Sequence, residues 1–166
     1  MKFSDEVASR LKEEVSVVFG ITGGAVVNLL DSIHKSGIKL ITMHHEQACA
    51  MAADAYSRLM GFGVAIGTSG PGATNLITGT CCSWFDSIPV LTIAGQVPRN
   101  QLKGISGVRQ NGFQETDTIV LFQSITKSSR KISSLGDVDY SIKLAKEGRP
   151  GPVFLEFCDD DQRESI

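Results

Sequence analysis

The chain has 166 residues, a length that suits one domain able to bury a real core without disulfides or a structural metal. Its 16 Lys and Arg against 18 Asp and Glu give a net charge of −2, which argues against the basic field of a protein that binds nucleic acid or anionic lipid. No stretch approaches the roughly 18 unbroken apolar residues of a membrane span, and the N-terminal segment has no apolar run of a signal peptide, so a cytoplasmic location is expected.

Helical and extended patterns alternate along the chain. Residues 5–14 read as a helix with Val7, Ala8 and Leu11 on one face. A short β-branched run, 15–21, reads as a strand. Gly23-Gly24 then opens a helix over 25–35 that Gly37 ends. Residues 38–43 form the second strand, and Glu46–Met60 a third helix closed by Gly61. The third strand covers 62–68 and is followed by a tight turn, Ser69-Gly70-Pro71-Gly72, and a helix over 73–85. The fourth strand covers 89–95.

Residues 96–114 are polar and without period, a long loop of the kind that is functional or mobile. A short helix over 116–122, an extended stretch within 124–132 and a helix over 137–147 follow. The turn Gly148-Arg149-Pro150-Gly151 leads into a last strand, 153–157. Strands separated by helices of roughly ten to fifteen residues imply an α/β fold: a three-layer, doubly wound parallel sheet with helices on both faces. One domain is expected over 1–158, with the acidic stretch 159–166 as the start of an interdomain linker.

The four cysteines (Cys49, Cys81, Cys82, Cys158) make no C-x-x-C pair, and His34, His44 and His45 have no metal-ligand spacing. Reduced, mostly buried thiols and no metal site are expected. There is no P-loop and no nucleophile elbow. Gly70-Pro71-Gly72 starts like a dinucleotide-binding turn, but the third glycine is absent and Pro71 removes an N–H.

In a parallel sheet ligands bind beyond the carboxyl ends of the strands. Four such exits carry unusual residues: Thr22-Gly23-Gly24, His44-His45-Glu46-Gln47, Ser69 to Asn75, and Gly95 to Pro98 leading on to Phe113-Gln114-Glu115. Glycines there let a backbone approach a ligand, and helix N-termini present free N–H groups. Glu46 opens a helix of small apolar residues, read as buried and closely packed, as at a subunit interface. Burial disfavours charge on its carboxylate and the helix N-terminus favours it. The plainer alternative is an acid that only satisfies backbone N–H groups.

The strings HEQACAMAADAYSRLMG (45–61), TSGPGATN (68–75), DSIPVLTIAGQVPR (86–99), FQET (113–116), SITK (124–127) and GRPGPVFLE (148–156) together resemble the thiamine-diphosphate enzyme family. The nearest likeness is to the N-terminal, pyrimidine-binding domain of acetolactate synthase and its relatives. It runs from Phe3 to Phe157. The resemblance implies that Glu46 hydrogen-bonds the aminopyrimidine ring and so sets up the relay that deprotonates the thiazolium carbon, for attack on a 2-oxo acid such as pyruvate. It implies cofactor contacts from Gly23, Gly24, Gly70, Pro71, Gly72 and Asn75, and a reaction-side position for Gln114.

Thr22 stands where relatives usually have proline. Residues 105–112 depart from acetolactate synthase and look more like related enzymes encoded with surface-polysaccharide genes, so the likeness points to the cofactor more firmly than to the product. The family holds the diphosphate and Mg2+ through a G-D-G…N motif, absent here, so the resemblance implies a diphosphate-binding domain on this or a partner chain, and a homodimer or higher oligomer. FAD is possible in a full enzyme of this kind. Two other readings stay open: a complete small subunit of a two-chain decarboxylase, and a non-catalytic dimerisation module.

Overall fold

A computed structural model describes residues 1–166. The six strands are β1 (Val17–Gly20), β2 (Lys39–Thr42), β3 (Gly63–Gly67), β4 (Val90–Gln96), β5 (Ser129–Lys131) and β6 (Val153–Cys158). They form one all-parallel sheet in the order β2-β1-β3-β4-β6-β5. The central strands β3, β4 and β6 are buried at every residue, as the apolar runs VAI, VLTIA and VFLEF require.

The helices are α1 (Phe3–Glu14), α2 (Val27–Ser36), α3 (Glu46–Met60), α4 (Pro71–Thr74), α5 (Ile77–Asp86), α6 (Thr118–Gln123), α7 (Leu135–Lys146) and α8 (Asp159–Arg163). One face of the sheet carries α1, α2 and α7 over the larger core, around Val7, Leu11, Leu29, Ile33, Val138 and Leu155. The other carries α3 and α5, packed on each other over Ala50, Ala53, Leu76, Phe122 and Phe154. The doubly wound three-layer sheet read from the sequence is therefore the observed fold. The chain winds one way from β1 to β2 and the other way from β3 onward, so the exits of β1 and β3 flank a topological switch point.

The helix over 46–60 has the bounds that its sequence signals, because both ends are capped. His45 Nδ1 accepts the N–H of Gln47 at 3.1 Å, and Gly61 closes the helix with φ +89° and its N–H on Ser57 O at 2.8 Å. Its small residues do not bury it all round. Ala48, Met51, Ala55 and Leu59 lie exposed along one side, and on α5 so do Thr78, Cys82 and Phe85.

Three other expectations are corrected. The single helix expected over 73–85 is two, because Leu76 N–H bonds back only three residues to Ala73 O, a tight turn that separates α4 from α5. The thiols are not mostly buried: Cys49 and Cys158 are, Cys81 is partly covered and Cys82 is exposed. The segment 159–166, expected to begin a linker, is packed through α8. Asp161 and Gln162 are buried, and α8 touches α1, α2 and β6. The acidic spacing there gives no sign of this, because α1 and α2, on which α8 packs, lie far away in sequence.

Candidate active-site cleft

At the carboxyl edge of the sheet, a cleft of about 420 Å³ opens between the exits of β1, β3 and β4. One wall is the turn Gly23-Gly24-Ala25. Thr68 and Ser69 form the floor, Gln96 to Pro98 a second wall, and Phe113 and Gln114 the rim, with Asp159 at one end. Gly23, Gly24 and Gln114, singled out in the sequence, thus line one space. Thr68, Gln96 and Asp159 line it too. Thr68 and Gln96 stand at strand exits already marked, so position alone could have found them; nothing local marks Asp159.

The glycines here are places of close approach. A side chain on Gly23 would collide with Thr68, and one on Gly72 would meet Thr68 Cγ2 at 2.6 Å and Glu46 Oε1 at 3.5 Å. Gly70 has φ +55°, a left-handed conformation that costs other residues, and a Cβ there would stand 2.7 Å from Gln114 Cβ. Gln114 itself is held at φ +57°. A non-glycine residue held in the left-handed region at the rim of a cleft, packed against a glycine that has no Cβ to obstruct it, is the kind of outlier that points to a functional site.

Glu46 stands beside the cleft, across Gly72 from Thr68. Its Oε2 accepts a hydrogen bond from Asn75 Nδ2 at 2.9 Å, and Oε1 has no partner within the chain. Because His45 caps α3, Glu46 is released from the backbone role that a helix-start acid usually takes. Pro71 occupies the first position of α4, is exposed, and does not line the cleft. Its carbonyl accepts the N–H of Asn75 at 2.9 Å, which aims Asn75 at Glu46.

The rim loop is held by Glu115. Its carboxylate accepts the N–H of Lys103 at 2.7 Å and of Asn111 at 2.9 Å. Below it, buried Glu156 on β6 accepts from Gln96 Nε2 at 3.0 Å and Thr118 Oγ1 at 2.5 Å, and Gln96 also donates to Thr116 O at 2.9 Å. These contacts fasten the segment after Gln114 to the sheet. Arg99 is tied to α8: its N–H reaches both oxygens of Asp160, and Nε donates to Asp161 at 2.6 Å.

Residues 1–121 match the family model described as thiamine pyrophosphate enzyme, N-terminal TPP binding domain. The chain is 38% identical over 172 residues to the probable acetolactate synthase large subunit of Methanocaldococcus jannaschii, covering all of this chain and 28% of that protein. It is 41% identical over 161 residues to the acetolactate synthase large subunit of Parasynechococcus marenigrum, covering 92% and 25%. It is 40% identical over 156 residues to the acetolactate synthase isozyme 2 large subunit of Escherichia coli, covering 91% and 27%. The chain spans about a quarter of the length of these relatives.

Proposed function

The chain belongs to the thiamine pyrophosphate enzyme family and carries its N-terminal TPP-binding domain, and on that premise we propose that it supplies the pyrimidine-binding half of an active site acting on 2-oxo acids, by decarboxylation and carboligation. The observation that carries this reading is the Glu46–Asn75 contact beside the cleft. Asn75 fixes one carboxylate oxygen and leaves the other open, while His45 keeps the helix N-terminus from consuming either.

The residues present fit the cofactor. Gly23 and Gly72 let Thr68 keep its place at the floor of the cleft, since a side chain on either would collide with it, and the cleft, lined by Gly23 and Gly24, lies at the switch point, where an α/β sheet takes its ligand. Thiamine diphosphate, when bound, supplies the electron sink that makes carbanion chemistry on a 2-oxo acid possible. The chain's own residues orient and relay. Glu46 shares a proton with the pyrimidine ring nitrogen through its open oxygen. Gly23, Gly24 and the Gly70 to Gly72 turn would hold the pyrimidine ring through their backbone, and Gln114, at the rim, would be the group nearest the substrate.

The Mg2+ and diphosphate belong, in this reading, to a second domain carried by the same or a partner chain, and FAD to a third if the whole enzyme retains it. The exposed apolar side of α3 and α5 suits burial against a partner subunit, giving a homodimer. The pyrimidine-binding domain, in this reading, takes in α8 as well as residues 1–158. Supplied with pyruvate, thiamine diphosphate and Mg2+, residues 1–166 alone should release no CO2 above background. Robust decarboxylation by this chain would overturn the half-site reading.

A further inference from the structure

The wall of the cleft at Gly23 to Val26 is held by residues distant in sequence. Its central peptide, at Ala25, is gripped on three sides. The Ala25 N–H donates to Thr68 Oγ1 at 3.3 Å. The Ala25 carbonyl lies against Gly95 of β4, where any side chain would collide with that oxygen. The same carbonyl accepts a hydrogen bond from Gln162 Nε2 at 2.7 Å.

Gln162 is fully buried. Besides Ala25 O, its amide donates to Phe157 O at 3.1 Å, and its Oε1 accepts the N–H of Leu29 at 3.1 Å, 133 residues away. Leu29 is the third residue of α2, so its N–H is one of the donors a helix start leaves without an intrahelical partner. No side chain at the start of α2 caps it. Gln162 does so from the far end of the chain, with one acceptor and two donors, each spent on backbone.

We propose that Gln162 is a positioning residue: it caps α2 and holds the Ala25 carbonyl, and so fixes the turn that walls the cleft. It does not line the cleft itself and acts only through Ala25 and Leu29. Buried backbone groups left unpaired are costly, so removing the amide releases the turn rather than leaving it in place. The consequence for cofactor affinity rests on the thiamine diphosphate reading above; the consequence for the turn does not.

The test compares Gln162→Leu with Val138→Ala, a truncation in the core beneath α7. Amide hydrogen exchange is read at Ala25, Val26 and Leu29, and thiamine diphosphate affinity is measured with Mg2+ in the assembled enzyme. For a matched fall in thermal midpoint, Gln162→Leu should lower protection at those three amides about tenfold more than Val138→Ala, and raise the Kd about tenfold. Gln162→Glu keeps an oxygen for Leu29 but has no amide to donate, so it should spare Leu29 and loosen Ala25, and it gives the same reading if the leucine variant does not fold. Equal protection at the turn in the Gln162 variants and Val138→Ala would overturn the proposal. A loosened turn in a protein whose wild type binds no thiamine diphosphate would uphold the positioning role and overturn the cofactor reading.

Discussion

Asn75 and Glu46, 29 residues apart, meet through a 2.9 Å hydrogen bond that joins the turn between α4 and α5 to the first residue of α3. Two features set this geometry. The tight turn at 73–76 points Asn75 back at α3, and His45 takes over the capping that would otherwise occupy a helix-start acid. Asn75→Ala should therefore cost about 1 kcal/mol of stability, the net worth of one hydrogen bond, by chemical denaturation. Asn75→Asp should cost more at neutral pH than at pH 4, because two carboxylates would then share the contact. Equal losses at both pH values would show that the side chains do not meet.

The exposed side of α3 and α5 predicts where assembly can be broken without breaking the fold. Leu59 is 86% exposed and Phe85 72% exposed in the single chain. Leu59→Glu and Phe85→Glu should leave the circular dichroism spectrum and thermal midpoint of the monomer nearly unchanged, since neither side chain packs in the core. In sedimentation of the assembled enzyme the same variants should shift the population from dimer to monomer. An unaltered dimer would place the interface elsewhere.

Thiol chemistry reads the same surface. Burial pushes the Cys158 thiol up to about 12, and burial likewise raises that of Cys49. At pH 7.5 a thiol reagent should modify exposed Cys82 fastest and Cys81 more slowly, and reach Cys49 and Cys158 only on unfolding. If the proposed dimer forms through this side of α5, Cys82 should become protected in it. Rapid labelling of Cys158 in the native chain would contradict its burial at the end of β6.

Acid stability should depend on Asp5. The Ser32 hydroxyl, at 2.6 Å, holds its carboxyl below the usual carboxylate range, helped by the Lys2 N–H at 2.9 Å. A carboxyl lowered in the folded state adds stability that is present above its unfolded value of about 3.9 and is lost as pH falls through the folded value. The stability gap between wild type and Asp5→Asn should thus be widest near pH 7 and close below about pH 4. A gap that widens on acidification would refute the contact.

The layered sheet and the bounds of α3 were legible because their signals are local: alternating apolar runs, and Gly61 closing the helix that starts at Glu46. The glycines at the strand exits were legible by placement. What the sequence hid depends on distance. The break between α4 and α5 follows from a single three-residue hydrogen bond within a helical pattern. The exposed side of α3 was invisible because alanine suits buried and exposed positions alike. Gln162 sits in an acidic run that reads as solvated, yet the helix it caps begins 133 residues earlier; no local pattern records that.

The most direct test of the central claim is deuterium exchange at the thiazolium C2 of bound thiamine diphosphate, in the assembled enzyme with Mg2+, for wild type and Glu46→Gln. If Glu46 is the proton-sharing group, the glutamine variant should still bind the cofactor but exchange at least about 100-fold more slowly, the scale of a lost acid–base contribution. Exchange at the wild-type rate in Glu46→Gln would contradict the account.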